Sequence, residues 1–266
     1  MESLKILKIK IYQPQAHYRI PFTYQRRHTY PIPPYSTFIG LLCNILGIRN
    51  LEGKEEPSDQ NYHKLKKIKI SICGAFESKT TEWTWFRNLS KESHNSRFVY
   101  HENRYISGLL EHPGGQIPVL IDILNNVNLW IYLYHEDKNF LENIKDAFSN
   151  PKNWIYPLHL GRAEDWIVLE KVDFVEIKIS DIGGSFKKFF WISKELWTDN
   201  NLQLRNDWFE KASGLLYKIP TFYKLKNGIR CFEYIDAKLN DGEIYDLKFY
   251  FDEEEKIPVF FANLGG

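Results

Sequence analysis

Leu4 to Tyr12 alternates apolar with basic or polar residues, a period of two that predicts a half-buried strand. Phe38, Leu41, Leu42 and Ile45 then fall at helical spacing, with Ser36 or Thr37 as the expected N-cap and Gly47 as the stop. The stretch before that helix, Tyr30-Pro31-Ile32-Pro33-Pro34-Tyr35, must be extended, because each proline biases its predecessor away from helix. After a polar loop around Glu52 to Gln60, the alternation of Ile68, Ile70 and Ile72 predicts a second strand from Lys66 to Phe76. Between Glu77 and Pro118 the pattern loosens into aromatic and basic residues among polar ones, which reads as a long insertion, a projecting β-hairpin closed by His112-Pro113-Gly114-Gly115. Val127 to Tyr134 is strand-like, Lys138 to Phe148 is an amphipathic helix ended by Ser149-Asn150-Pro151, and Trp166 to Ile179 is again strand.

That order is strand, helix, strand, insertion, strand, helix, strand. It predicts an α+β chain with a ferredoxin-like core of the kind shared by RNA-recognition sheets. After Asp181-Ile182-Gly183-Gly184 come short β-like runs over Lys187 to Ile192, Leu215 to Leu225, Arg230 to Leu239, Glu243 to Phe251 and Ile257 to Ala262. Asn227-Gly228 and Asn240-Asp241-Gly242 punctuate them as turns. Residues 1–180 are therefore expected to form the first domain, with the insertion at about 77–118, and residues 181–266 a smaller, mainly β domain.

Composition narrows the class. With 35 Lys+Arg against 34 Asp+Glu in 266 residues, the net charge of +1 excludes a polycation or an acidic tail protein. The 3 cysteines, Cys43, Cys73 and Cys231, are too few and too far apart for a disulfide framework or a zinc knuckle. No apolar h-region opens the chain, and the longest apolar stretch, Phe38 to Ile48, falls short of the roughly 20 residues of a membrane span. A soluble, cytoplasmic protein is expected. Aromatic content is high, 16%, and aromatics both fill cores and stack on bases.

Charge is unevenly placed. No acid lies between Glu2 and Glu52, a stretch that carries Lys5, Lys8, Lys10, Arg19, Arg26, Arg27 and Arg49. A second acid-free segment, Asn61 to Phe76, holds Lys64, Lys66, Lys67 and Lys69, while acids cluster at Asp252-Glu253-Glu254-Glu255. If the basic residues share a face, the surface is polarised. Within this stretch Gln25-Arg26-Arg27-His28 precedes the proline-rich turn, so a rigid loop with two arginines, a histidine and Tyr30 feeds a helix N-terminus, an arrangement able to hold phosphate.

Nucleotide-binding glycine loops, GxSxG and HExxH are absent, and the 8 histidines have no metal-ligand spacing, so neither metal nor cofactor is expected. His28, Tyr30 and the arginines could support metal-free RNA cleavage or simple binding, and binding is favoured. Pro157-Leu158-His159-Leu160-Gly161-Arg162-Ala163-Glu164-Asp165-Trp166 is either a turn with a local Arg–carboxylate pair or a loop that aims Arg162 at phosphate or a neighbouring subunit.

PFTYQRRHTYPIPPYSTFIG, residues 21–40, and LGRAEDW, residues 160–166, together resemble the fifth family of CRISPR-associated (Cas) proteins in its type I-B-like branch. The ending Pro258-Val259-Phe260-Phe261-Ala262-Asn263-Leu264 is similar to that branch as well. The resemblance implies a ferredoxin-like RNA-binding domain of the repeat-associated (RAMP) superfamily, with a thumb hairpin and a small C-terminal β domain. It implies a non-catalytic subunit of the antiviral interference complex Cascade that caps the 5′ handle of CRISPR RNA (crRNA). Its partners would be the backbone and large subunits, and target DNA near the protospacer-adjacent motif. Arg26, Arg27, His28, Tyr30 and Ser36 would lie beside the handle, supported by Arg162, with Arg87, Arg97 and Arg104 on the thumb. In the type I-C branch the equivalent subunit cuts repeat RNA without metal, using a tyrosine near the end of the first helix. Here that helix end reads Asn44-Ile45-Leu46-Gly47, without tyrosine.

Overall fold

The structure, a computed structural model, describes residues 3–23, 26–51, 53–88, 105–106, 109–110, 115–199 and 201–264. It is a mixed α+β fold dominated by one antiparallel sheet. The core follows the predicted order: β1 (Leu4–Ala16), α1 (Tyr35–Ile45), α2 (Gln60–Leu65), β2 (Lys69–Ala75), β3 (Ser78–Asn88), β4 (Gly115–Tyr134), α3 (Lys138–Ser149) and β5 (Val168–Ser180). In space β5, β1, β4 and β2 lie side by side, all antiparallel, which is the ferredoxin-like arrangement. The short helix α2 falls just after the stretch read as a polar loop. Its sequence signal is Asp59, whose side chain accepts the Asn61 N–H.

Alternation assigns the two faces of the sheet. Leu7, Ile9 and Ile11 of β1, Ile70 and Ile72 of β2, and Leu129, Ile131 and Leu133 of β4 pack beneath Phe38, Leu42 and Ile45 of α1 and Phe140, Ile144 and Phe148 of α3. Asp137 caps α3 by accepting the Asn139 and Phe140 N–H groups. On the opposite face Ile6, Cys73, Tyr132 and Ile177 are covered by Phe190, Phe249, Tyr250, Phe260 and Phe261 from the C-terminal region. Aromatics fill both cores, with Tyr35, Phe38, Phe140 and Trp191 on the helix side.

The C-terminal region comprises β6 (Phe189–Ser193), the one-turn α4 (Trp208–Lys211), β7 (Leu215–Lys226), β8 (Ile229–Asn240), β9 (Phe249–Asp252) and β10 (Ile257–Val259). Its longer strands extend the same sheet: β6 pairs with β2, β8 with β6, β7 with β8, and β9 with β5. Asn227 and Gly228 both take positive φ, so the predicted tight turn joins β7 to β8.

The insertion departs from expectation at one end. β3 pairs with β4 from Ser78 opposite Asn125 to Asn88 opposite Gly115, a long two-stranded hairpin. Its returning arm does not stop at Pro118, because β4 runs unbroken from the hairpin into the centre of the sheet. The hairpin is thus anchored by a core strand. Of the thumb arginines, Arg87 lies on β3 opposite Gln116, and Arg97 and Arg104 lie outside the described residues.

The condition for a polarised N-terminal surface, that the basic residues share an exposed face, is not met at β1. Lys8 is fully buried, with its ammonium 2.9 Å from Asp252 and 2.7 Å from Glu254. Tyr132 donates to Asp252, and Trp130 Nε1 donates to Glu255. The acidic run Asp252 to Glu255 therefore neutralises the lysine strand instead of facing solvent on its own. Burial alone would lower the Lys8 pKa, but its bonds to Glu254 and Asp252 outweigh that and raise it.

Candidate nucleic-acid interface

Arg26 and Arg27 pair, in parallel, with Leu120 and Ile121 of β4, so consecutive side chains go to opposite faces of the hairpin root. On one face Arg26 Nε donates to Asp122 at 2.9 Å and His28 Nδ1 to the same carboxylate at 3.0 Å, with Lys79 3.8 Å away. Asp122 is buried, and the donors from His28 and Arg26 hold its pKa below the usual carboxylate range despite burial. Strand alternation places Trp83 and Trp85 on this same face, 71% and 65% exposed.

On the other face Arg27 lays its guanidinium over Phe86, 3.5 Å from the ring centroid. Behind that pair Val119, Ile121 and Ile123 form a small apolar cluster. Arg27 makes no ion pair among the described residues, and its buried Nε has no hydrogen-bond partner. Burial, with a contribution from Arg19, lowers its pKa, yet a guanidinium stays charged at neutral pH.

Arg27 opens into a cleft of about 560 Å³. Its lining includes Arg19, Arg162 and Arg230, the rings of Phe22, Phe86, Phe232 and Tyr234, and Ser36 and Thr37 in the first turn of α1; among the described residues no carboxylate lines it. Phe22 sits at positive φ with its ring 81% exposed at the rim. His17 lines the cleft too. Its Nδ1 bonds the Asp122 carbonyl at 2.8 Å, and its buried Nε2 has no partner.

The Leu160 to Trp166 loop forms one wall, and Asp165 organises it. This buried carboxylate accepts the N–H groups of His17 and Arg162 and the Arg162 guanidinium, with Nη2 at 2.7 Å. Gln13 Nε2 fastens the loop to β1 through the carbonyls of Leu160 and Asp165. Gly161, at φ +115°, is required, since a Cβ there would stand 2.8 Å from the His17 carbonyl. The local Arg–carboxylate pair is present, and Arg162 lines the cleft.

The sequence-predicted site divides. Arg27, Ser36 and Arg162 line the cleft, whereas Arg26 and His28 lie on the Asp122 face. Tyr30 is corrected: it is 3% exposed, wedged edge-on against Trp191 and Tyr217, and burial raises its pKa to about 12. Ser36 is not the cap of α1, which begins at Tyr35 after Pro34, so Ser36 is free to line the cleft. Sequence reasoning passed over Phe22, Phe86, Arg230, Phe232 and Tyr234. The period-two run Arg230, Phe232, Tyr234 after an Asn-Gly turn was the available signal.

Fold and cleft together define a ferredoxin-like sheet protein with an arginine- and aromatic-lined groove at the root of a hairpin. Residues 6–112 match the model of a family described as CRISPR-associated protein (Cas_Cas5), a match that runs from β1 past β3 and ends before β4. A chain of a CRISPR RNA-guided surveillance complex superimposes with a TM-score of 0.54 at 12% identity, over 90% of this chain and 90% of that one, which shows a shared fold. A Cas protein crystal structure gives 0.46 at 14% identity, over 96% and 98% of the two chains. A CRISPR protein from Archaeoglobus fulgidus gives 0.40 at 12% identity, over 97% and 99%. No curated protein matches the sequence. Among the described residues no helix is long and apolar enough to cross a membrane, and no group of three or more His, Cys, Asp or Glu side chains could hold a metal.

Proposed function

We propose that this chain is the crRNA-binding subunit of a type I, I-B-like CRISPR interference complex, Cascade, and that it holds the 5′ handle without cutting it. The observation that carries this reading is the cleft itself: Arg19, Arg27 and Arg230 make no ion pair among the described residues, and aromatic rings surround them. Arg19 and Arg230 are exposed and Arg27 is half-buried, so together they present an unneutralised positive field in the cleft, and phosphate is the anion that arrives with rings able to stack. The family match over residues 6–112 and the shared fold with a chain of an RNA-guided complex support the same reading. Its partners in that role are the backbone and large subunits, with target DNA near the protospacer-adjacent motif.

A second reading, metal-independent cleavage of repeat RNA, draws on one observation. His28 is half-exposed and oriented by a buried carboxylate, with Arg26 and Lys79 beside it. Against it, Tyr30 is sealed in the core and cannot reach a substrate. The test is labelled repeat RNA mixed with the full chain in EDTA and run on native and denaturing gels. A shifted, intact RNA is expected. A discrete cut would move His28 from binding to catalysis, and no shift at all would refute both readings.

A further inference from the structure

A second cavity, about 480 Å³, lies on the far side of the α1 N-terminus. It shares Ser36, Thr37, Gly161, Arg230 and Phe232 with the first, so the two form one continuous groove. Its floor is the outer surface of α1 at Gly40, where an added Cβ would meet nothing within 4 Å. Its walls are Tyr156 and Tyr223, with His159 at the mouth. Among the described residues no carboxylate lines this half either.

Arg230 stands at the junction. Its guanidinium lies 4.8 Å over the Tyr223 ring and makes no ion pair among the described residues. Glu233 of the hairpin pairs with Lys224 at 3.5 Å, and Glu56, in the loop before α2, pairs with Lys66 at 2.6 Å. Arg230 and Phe232 point to the same side of β8, because they are two residues apart on a strand. A cation with no ion pair among the described residues, laid over a ring, repeats the Arg27–Phe86 arrangement further along the groove.

We infer that this second cavity is a subsite for single-stranded RNA continuous with the first, in which Arg230 holds the phosphate between the two halves and Phe232, Tyr156 and Tyr223 take the next bases by stacking. The inference rests on the RNA-binding reading above. It adds the C-terminal β7–β8 hairpin, which lies outside residues 6–112, to the RNA interface. Continuity with the arginine cleft and the uncompensated charge favour RNA over an apolar peptide, which would gain nothing from Arg230.

The test compares a dinucleotide, which fills one cavity, with an octanucleotide, which spans both, by fluorescence anisotropy on the full chain. Tyr156→Ala and Tyr223→Ala, at rings that line only the second cavity, should each weaken the octanucleotide roughly tenfold while leaving the dinucleotide unchanged, and Tyr156→Phe and Tyr223→Phe should restore binding; Arg230→Ala, at a residue both cavities share, should weaken both RNAs. A 4-thiouridine in the octanucleotide should crosslink to the segments carrying Tyr156 or Phe232. All variants are checked by thermal melting. Octanucleotide binding unchanged in these variants but weakened by Arg27→Ala would overturn the subsite and leave the first reading standing. Loss of a partner subunit with RNA affinity intact would overturn it in favour of a protein ligand. Failure of the wild-type chain to bind either RNA would overturn the RNA-binding reading itself.

Discussion

Lys8 and Arg27 come from the same acid-free stretch, yet the fold treats them in opposite ways. Lys8 is swallowed by the sheet, and three carboxylates from Asp252 to Glu255 gather within 3.7 Å of its ammonium. Arg27 is stacked on Phe86 at the wall of an open cleft, with no carboxylate beside it among the described residues. One cation is part of the core and the other is left incomplete. A run of basic residues in sequence therefore does not mark a binding surface; what matters is which of them the distant acids reach.

The largest expected effect breaks the first half of this comparison. Lys8→Met leaves Asp252 buried without its counter-charge, and removing one partner of a buried pair costs about 3–5 kcal/mol. Chemical denaturation should show that loss, while RNA affinity of the folded fraction stays at the wild-type value. Next comes Asp165→Asn, which weakens the bonds holding His17 and Arg162; a loss of about 1.5–3 kcal/mol is expected, because hydrogen bonds to a charged group are the strong ones. RNA affinity should fall with it, since Arg162 loses its anchor at the cleft.

Arg27→Ala sharpens the second half. Stability should change by less than about 1 kcal/mol, the scale of one cation–π contact. The salt dependence of RNA binding should decrease by about one phosphate contact. Arg26→Ala is the useful contrast on the next residue: it strips a partner from buried Asp122, so melting should register the change. The smallest effect is at Glu254, which hydrogen bonds from Lys171 and Lys8 hold down at about 2. A depressed carboxylate stabilises above its ordinary value of 4.5 and loses that contribution as pH falls through about 2. Lys8, raised, contributes below its ordinary value and keeps doing so at higher pH until its own elevated value is passed. Glu254→Gln should therefore flatten the acid limb of a stability–pH profile and, because Glu254 also helps to raise Lys8, bring the loss on the alkaline limb to lower pH.

Local chemistry made much of the fold legible. The alternation in β1 and β2, the helical spacing of Phe38 to Ile45, and the Asn227-Gly228 turn each follow from neighbours in sequence. What stayed hidden depends on long-range pairing. Nothing near Lys8 announces that residues 252–255 will cover it, and nothing near Tyr30 announces that Trp191 and Tyr217 will enclose it. The cleft behaves the same way. Arg27, Ser36 and Arg162 could be chosen from two short motifs, but Phe86 and Arg230 join them only through the hairpin and through β8. Arg26, Arg27 and His28 read as one cluster in sequence, and strand alternation splits them between two faces.

The most direct measurement is the affinity of the full chain for labelled repeat RNA, in EDTA, across a salt series, for the wild type, the Arg19→Ala/Arg27→Ala double variant and Lys8→Met. The account predicts intact RNA, a steep salt dependence in the wild type that falls by about two contacts in the arginine variant, and an unchanged slope for folded Lys8→Met. An arginine variant that binds like the wild type, or a Lys8 variant that alone loses the salt dependence, would contradict it.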